Sequence, residues 1–169
     1  MELFPEYTSL TKSSPPLPLA ARMRPDSLEK YFGQEHLIGK GLPLRELVET
    51  ESGLSFILWG PPGSGKTTLA RIAAKLTESV FHEISAVNAG VADIRKVVQS
   101  ATQIWKTKGS RTILFLDEIH RFNKVQQDAI LPFVENGTIR LIGSTTENPS
   151  FEVIPALRSR CQIFRLETL

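Results

Sequence analysis

The chain has 169 residues, 41% of them hydrophobic and 22% charged, which is ordinary for a globular domain and long enough to bury a core. With 20 basic and 18 acidic residues the net charge is +2, a balance that neither requires nor excludes a nucleic-acid partner. A single cysteine excludes an internal disulfide, and no apolar run reaches the roughly 18 residues of a membrane span. We therefore expect one cytoplasmic domain without a signal peptide or membrane anchor.

The N-terminal part differs in composition from the rest of the chain. Residues 1–19 lack an apolar period and contain a proline-rich run at 13–18, so we predict a flexible tail. Leu3, Phe4 and Tyr7 form either a peptide ligand for a partner or part of a tail that is disordered or rests on its own domain.

Order is expected from residue 20 onward. Asp26 is predicted to cap a helical turn that ends near Phe32, and 33–38 leads into a loop. An amphipathic helix follows over 42–49.

Short apolar runs then alternate with amphipathic segments. The pattern predicts strands over 56–59, 80–84, 112–118, 138–143 and 162–166, and helices over 67–76, 91–105, from 123 or 124 onward, and 153–160. Pro132 is expected to end or kink its helix. Five strands alternating with helices predict an α/β fold with a parallel sheet covered on both faces, and ligands bind such sheets at the carboxyl ends of the strands.

The first of these strands leads into a glycine-rich loop. Gly60–Thr67 reads GPPGSGKT and fits G-x-x-x-x-G-K-[ST], the phosphate-binding loop, in the required order of strand, loop and helix. Lys66 is predicted to neutralise the β- and γ-phosphates, and Thr67 to place its hydroxyl on Mg²⁺. The predicted nucleotide-binding residues of this segment are Gly60, Pro61, Pro62, Gly63, Ser64, Gly65, Lys66, Thr67 and Thr68.

Acidic and polar residues end the next strands. Asp117 can hold Mg²⁺, directly or through its water shell, and Glu118 can accept a proton from the water that attacks the γ-phosphate. One side chain of the run 143–149 can hydrogen-bond the γ-phosphate or that water. Arg158 and Arg160 are either surface charges or include an arginine supplied to a neighbour's ATP.

Taken together, these segments resemble the clamp-loader group of AAA+ P-loop ATPases. The resemblance is carried by Arg24-Pro25 with Gly33-Gln34, Gly60-Pro61-Pro62-Gly63, Asp117-Glu118 and Ser159-Arg160-Cys161. Residues 119–124 with 126–129, 131–132 and 145–151 are similar to one branch, the replication-associated recombination protein A family, whose eukaryotic member is the Werner helicase-interacting protein. The likeness runs from about residue 19 to 169.

The resemblance implies roles for matching residues. It places Gly33 and Gln34 in the segment that packs against adenine, and Thr145 at the sensor-1 position. Arg160 matches the finger arginine that acts in trans, whereas Arg158 lies outside the pattern. The family's pattern continues into a helical lid and a tetramerisation domain, so we expect residues 20–169 to be the ATPase core without its lid.

The resemblance also implies a biological setting. It predicts an ATPase that uses ATP and Mg²⁺, acts at stalled replication forks, and forms tetramers in its full-length form. It further predicts binding to DNA forks, gaps or single-stranded ends and to single-strand DNA-binding protein, with a cytoplasmic, nucleoid-associated location. The candidate DNA contacts, each equally readable as solvated charge, are Arg95, Lys96, Arg121, Lys124 and the cluster Lys106, Lys108 and Arg111.

Three alternatives remain open. A Holliday-junction branch-migration motor shares the loop, the acids and a Gly-x-Thr-Thr strand end, but normally adds a DNA-binding hairpin. A scaffold subunit of a clamp-loader-like assembly is disfavoured by the intact Lys66, Thr67 and acidic pair. A small-molecule P-loop kinase is expected to carry a substrate lid instead of the acidic pair and the arginine finger.

Overall fold

The computed structural model describes residues 24–169, so the predicted tail over 1–19 lies outside the described residues. The helices are α1 (Glu35–Ile38), α2 (Pro43–Glu49), α3 (Lys66–Leu76), α4 (Val91–Lys108), α5 (Lys124–Glu135), α6 (Pro149–Glu152) and α7 (Pro155–Arg158), with a 3-10 helix at Ile119–Arg121. The strands are β1 (Ser55–Trp59), β2 (Val80–Ser85), β3 (Thr112–Asp117), β4 (Arg140–Thr145) and β5 (Cys161–Arg165).

The five strands form one parallel sheet in the order β2-β3-β4-β1-β5, which confirms the predicted fold class. β4 lies between β3 and β1, so its last residue, Thr145, lies between the loop that follows β1 and the loop that follows β3. Trp59 pairs with Thr145, and Ser85 pairs with Asp117. The carboxyl ends of these strands therefore meet at one edge of the sheet, where the topology gathers the predicted site residues.

Both faces of the sheet are buried, which explains the continuous apolar runs of the central strands. Phe56 and Phe115 pack on the face covered by α2 and α3, and the alternating residues Ile57 and Leu114 pack on the opposite face with α4 and α5. The central strands are almost wholly buried, whereas the edge strands β2 and β5 are only partly covered. The core thus holds the central strands, and with them the loops at their ends, in fixed positions.

Several predicted boundaries are wrong, and proline explains two of them. α5 continues through Pro132 to Glu135, since a proline in the last turn removes only one hydrogen bond and the Asn136 N–H still donates to the Pro132 carbonyl. The predicted helix over 153–160 is reduced to α7 at 155–158, and the separate short helix α6 precedes it at 149–152. Proline at the first position of each helix favours a new start there.

Other corrections concern the N-terminal segment. Residues 35–38, for which the sequence predicted no element, form the short helix α1. Asp26 caps no helix, because only a turn follows it; its carboxylate pairs with Lys30 (3.0 Å) and Lys75 (3.3 Å). Those two ammonium groups lower the pKa of Asp26.

Candidate active site

The phosphate-binding loop connects the end of β1 to the start of α3. Lys66 is only 8% exposed, and its Nζ donates to the carbonyl oxygens of Gly60 (2.7 Å) and Pro61 (2.8 Å) and to Ser64 Oγ (3.3 Å). Burial lowers the pKa of Lys66, while the carboxylates of Asp117 and Glu118 act to raise it. Because these three acceptors are uncharged, an anionic phosphate oxygen is a stronger acceptor for the same ammonium group.

Two glycines of the loop are required by its shape. Gly65 has a φ of +92°, and a Cβ there would collide with the hydroxyl of Tyr31. A Cβ on Gly60 would lie 2.8 Å from the carbonyl oxygen of Leu166 and 3.1 Å from Ser64 Oγ. The loop therefore packs against its surroundings too closely to accept a side chain at either position.

Two residues that precede the sheet, Tyr31 and Gln34, contact the backbone of the phosphate-binding loop. Gln34 is 4% exposed; its Nε2 donates to the carbonyl oxygens of Ser64 (3.2 Å) and Glu167 (2.6 Å), and its Oε1 accepts from the Glu167 N–H (2.9 Å). The hydroxyl of Tyr31 lies 3.3 Å from the carbonyl oxygens of Ser64 and Gly65, and burial raises the pKa of Tyr31 to about 12. The amide of Gln34 thus joins the loop to the chain after β5.

The loop opens onto a cavity of about 480 Å³. Its lining consists of residues 62–68, Asp117, Glu118, Thr146, Arg24 and Leu169. Gly60 and Pro61 line a neighbouring cavity of about 850 Å³, which lies between the end of β1 and residues 163–168. Gly33 has a φ of +84° and packs against the side chain of Leu169. The predicted nucleotide-binding residues are thus divided between these two cavities and the segment that supports the loop.

Both predicted metal ligands, Thr67 and Asp117, line the first cavity. Asp117 ends β3, and its Oδ1 accepts a hydrogen bond from the hydroxyl of Ser144, a fully buried residue of the neighbouring strand β4. Thr67 lines the cavity from the first turn of α3. A carboxylate and a hydroxyl are hard oxygen donors that fit Mg²⁺. Within residues 24–169 no cluster of three or more His, Cys, Asp or Glu side chains could hold a metal, so phosphate and water oxygens would have to complete the coordination.

Glu118 follows Asp117 and is connected to Thr145 through a histidine. Nε2 of His120 lies 3.1 Å from Glu118 Oε2, and Nδ1 of His120 lies 2.9 Å from Thr145 Oγ1. Thr145 is fully buried at the end of β4, and its Oγ1 also accepts from the Glu147 N–H (3.0 Å). The structure therefore brings the predicted proton acceptor and the predicted sensor into one hydrogen-bonded group.

The arginines after α7 have different surroundings. Arg158 Nε donates to the carbonyl oxygen of Val153 (3.0 Å), so its side chain is part of the fold. Arg160 is half exposed and pairs with Glu135 at the end of α5, with Nη2 3.2 Å from Glu135 Oε1. Arg160 does not line the cavity of its own chain. Of the two, Arg160 is the arginine that a second copy of the chain could reach.

The candidate DNA contacts are all exposed. They are Arg95, Lys96, Lys106 and Lys108 on α4, Arg111 before β3, and Arg121 and Lys124 on either side of the start of α5. Within the part of the chain that the structure describes, none of these seven forms an ion pair, and Arg111 lies over the ring of Trp105 (5.5 Å). No helix of residues 24–169 has the length and apolar character needed to cross a membrane.

Sequence reasoning missed three residues of the site. Ser144 lies within the polar run 143–149, and the sequence does not indicate which residue of that run contacts the site. His120 lies two residues after Glu118, within the run 119–124 that carries the family resemblance. Nothing local in the sequence places Tyr31 beneath Gly65, because that contact joins residues 34 positions apart.

Residues 56–168 match the family model described as "ATPase family associated with various cellular activities (AAA)". That range contains the glycine loop, the acidic pair and the strand that carries Thr145. The chain therefore belongs to the AAA family and is an ATPase domain of that class.

Sequence relatives confirm the resemblance to replication-associated recombination protein A. The chain is 54% identical over 152 residues to the protein of that name from Haemophilus influenzae and 57% identical over 153 residues to that from Coxiella burnetii, in each case over 90% of this chain and 34% of the relative. It is 47% identical over 171 residues to ATPase WRNIP1 of Dictyostelium discoideum, of which it covers 19%. The chain thus spans about a third of the length of the bacterial relatives.

Solved structures support the same fold. The RuvB Holliday junction branch migration motor of Thermotoga maritima is 33% identical and superposes with a TM-score of 0.67, over 86% of this chain and 48% of that one.

Proposed function

We propose that the chain binds ATP with Mg²⁺ in the 480 Å³ cavity and hydrolyses it between subunits, as the core of a factor that maintains DNA replication and recombination at stalled forks. The observation that carries the proposal is the convergence of Lys66, Asp117 and Glu118 on one cavity at the carboxyl ends of the strands. Cation, metal ligand and proton acceptor are the three groups that phosphoryl transfer to water requires.

Each group has a defined task in this mechanism. Lys66 exchanges its loop acceptors for phosphate oxygens and neutralises developing charge. Asp117, with one carboxylate oxygen bound by Ser144, and the hydroxyl of Thr67 would hold Mg²⁺, whose positive charge would help to neutralise the phosphates. Glu118 accepts the proton of the attacking water.

Gln34 supports the loop, and Gly33 packs beside it against Leu169, which lines the 480 Å³ cavity. Because the Gln34 amide bonds Ser64 and Glu167, it fixes the loop relative to the chain after β5, which lines the adjacent 850 Å³ cavity. We propose that adenine binds in this second cavity. Thr145 acts as the sensor of the γ-phosphate through its hydroxyl group.

Arg160 completes a neighbour's site. Arg160 is exposed, lies outside its own cavity and, among residues 24–169, pairs only with an exposed carboxylate, so it can leave Glu135 for a phosphate at small cost. In the full-length protein, we expect both Glu118→Gln and Arg160→Ala to abolish most ATP turnover, because a finger of this kind is worth about 10³-fold or more.

Mixing the two variants tests whether the finger acts in trans. Glu118→Gln protein still offers Arg160, and Arg160→Ala protein still offers Glu118, so mixed oligomers contain intact sites and recover activity. Lys75→Ala is the matched control, since Lys75 is another exposed cation in an ion pair, with Asp26. Full activity of Arg160→Ala would remove Arg160 from the mechanism.

The DNA-related part of the proposal is supported by the names of the relatives and by the unpaired cations on α4. We expect gapped or forked DNA to stimulate turnover of the full-length tetramer, and replacement of Arg95 and Lys96 by glutamate to weaken that stimulation without changing turnover in its absence. Equal stimulation of the double variant would place the DNA contact elsewhere. Binding to single-strand DNA-binding protein and a nucleoid-associated cytoplasmic location belong to the same proposal.

A branch-migration motor is the second candidate, favoured by the likeness to RuvB. All strand pairs within residues 24–169 are parallel, so this part of the chain contains no β-hairpin of the kind expected for such a motor. Movement of a synthetic four-way junction by the full-length protein with ATP would favour this second candidate.

A further inference from the structure

We infer that His120 is a positioning residue of the hydrolysis site, which ties the carboxylate of Glu118 to the hydroxyl of Thr145. The inference rests on the proposed function and adds a residue to it. The evidence is geometric: the two ring nitrogens of His120 reach the two groups at 3.1 and 2.9 Å, and the side chain of His120 is only 12% exposed. His120 lines neither nucleotide cavity, so it acts through Glu118 and not on the nucleotide.

The chemistry of the partners fixes the direction of one hydrogen bond. An ionised carboxylate only accepts, so Nε2 of His120 must carry the proton that is donated to Glu118 Oε2. In a neutral ring Nδ1 then accepts the hydroxyl proton of Thr145, and in a cationic ring Nδ1–H donates to Thr145 Oγ1, whose proton turns to the Glu147 carbonyl oxygen at 3.1 Å. Both protonation states keep Glu118 and Thr145 connected.

The local backbone holds the histidine in this place. Glu118 has a φ of +58°, an unusual value for a non-glycine residue. The Arg121 N–H donates to the Glu118 carbonyl oxygen (2.8 Å), and Ile119 is fully buried, so the 3-10 turn starts at Glu118 and is anchored in the core. The turn brings the His120 ring back over the end of β4, where Thr145 lies.

This arrangement has a consequence for hydrolysis. One oxygen of Glu118 is bound by His120, which limits rotation of the carboxylate and leaves Oε1 to accept the proton of water. Thr145 is fully buried and lines neither cavity, whereas the next residue, Thr146, lines both. A displacement of this strand end by bound nucleotide therefore reaches Glu118 from Thr145 through the same ring. The general base and the sensor therefore respond to nucleotide as one unit.

Three substitutions separate the two connections. The amide nitrogen of glutamine can take the position of Nε2, so His120→Gln keeps a donor to Glu118 and loses the contact with Thr145. The shorter His120→Asn can replace Nδ1 and keeps only the contact with Thr145, and His120→Ala loses both. His82→Gln is the matched control: the same change on the edge strand β2, at a position that pairs with Leu114, away from the site.

The first measurement is steady-state ATP hydrolysis by the full-length protein, with nucleotide affinity from a fluorescent ATP analogue and a melting temperature for each variant. We expect His120→Ala to lower kcat about tenfold to hundredfold with nearly unchanged KM and nucleotide affinity. His120→Gln should recover much of kcat, His120→Asn little, and His82→Gln should match the wild type. Unchanged kcat in folded His120→Ala would overturn the inference.

The second measurement does not depend on activity. Nitrogen–proton NMR spectra of the histidine rings, with the His120 signals assigned by their loss in His120→Gln, report which ring nitrogen carries a proton. We expect a protonated Nε2, displaced signals in Glu118→Gln and Thr145→Val, and no displacement in His82→Gln. If the His120 signals kept their positions in both Glu118→Gln and Thr145→Val, the ring would not connect the Glu118 carboxylate to the Thr145 hydroxyl.

The two proposals fail in different ways. An inert wild-type protein, with every DNA tried, would overturn the proposed hydrolysis and this inference with it. An active wild type combined with a fully active His120→Ala overturns the role of His120 alone and leaves the roles of Glu118 and Lys66 intact.

Discussion

The two ends of the sheet each bury one cation, and the cations differ in what surrounds them. At the carboxyl end Lys66 is 8% exposed, and at the amino end Arg140 is 7% exposed. Each donates to three acceptors, and burial lowers the pKa of both, that of Arg140 to about 10. By burial and hydrogen bonding alone they cannot be told apart.

The two cations, Lys66 and Arg140, differ in the groups that surround them. Arg140 donates only to the carbonyl oxygens of Leu54 (2.8 Å), Thr50 (3.3 Å) and Leu47 (2.5 Å), so its guanidinium group ties α2 and the following chain to β4. Lys66 instead faces an open cavity and two carboxylates. A buried cation is therefore functional when its acceptors can be exchanged for a ligand, and structural when they are backbone groups that nothing else can satisfy.

The largest expected effect comes from Lys66→Met. It removes the ammonium group from the phosphate site, and we expect ATP turnover of the full-length protein to fall at least about hundredfold, with weaker nucleotide binding. The free energy of unfolding should change little, because the loop carbonyls released by Lys66 can reach water in the cavity. Substantial ATP turnover in this variant would contradict the assignment of Lys66 as the functional cation of the two.

Arg140→Met should show the opposite pattern. It leaves three carbonyl oxygens without their donor, and we expect the free energy of unfolding to fall by about 3 kcal/mol while nucleotide affinity of the folded protein is kept. Arg71→Met is the control: both guanidinium groups lie over a phenylalanine ring, at 5.4 Å for Arg71 and 5.6 Å for Arg140, but that of Arg71 is exposed. Urea denaturation of both variants measures the difference, and equal losses would contradict the structural role of Arg140.

The carboxyl end of the sheet was the more predictable one. The loop around Lys66 has a fixed spacing because its backbone must wrap a phosphate, and the three central strands follow from apolar runs that are buried on both faces. Asp117 and Glu118 could be placed because they end such a run. These features are local in sequence, and local patterns can be read without a structure.

The remaining features depend on distant partners. Arg140 opens a strand and reads as a surface charge, yet its hydrogen bonds reach residues 86 to 93 positions earlier. The resemblance places Gln34 against adenine, but its partner Glu167 is 133 positions away in the sequence. Such contacts are decided by sheet order and packing, which no local spacing encodes. The roles of Thr145 and Arg160 came from the family resemblance and await the tests above.

A smaller effect is expected from Ser144→Ala, which leaves Asp117 in place but removes the hydroxyl that orients its carboxylate. Mg²⁺ dependence of ATP turnover should shift to about tenfold higher concentration, because a partner that orients a ligand typically contributes that much to affinity. Ser79→Ala, near the amino end of the sheet, is the control. If Mg²⁺ dependence stayed unchanged in Ser144→Ala, the hydrogen bond would have no part in metal binding.

The last effect is absent at neutral pH and concerns two partly buried weak acids, one near each end of the sheet. Burial raises the pKa of Cys161 at the start of β5 to about 12, from 9.0, and that of Tyr31 beneath the loop to about 12, from 10.0. Between pH 9 and 12 the unfolded chain therefore releases protons that the folded chain keeps, so the free energy of unfolding falls as pH rises. Urea denaturation at pH 8, 9.5 and 11 measures this fall. Because a serine hydroxyl does not titrate in this range, Cys161→Ser should flatten the earliest part of the decline, and a parallel decline in wild type and variant would show that the Cys161 thiol is not protected by the fold.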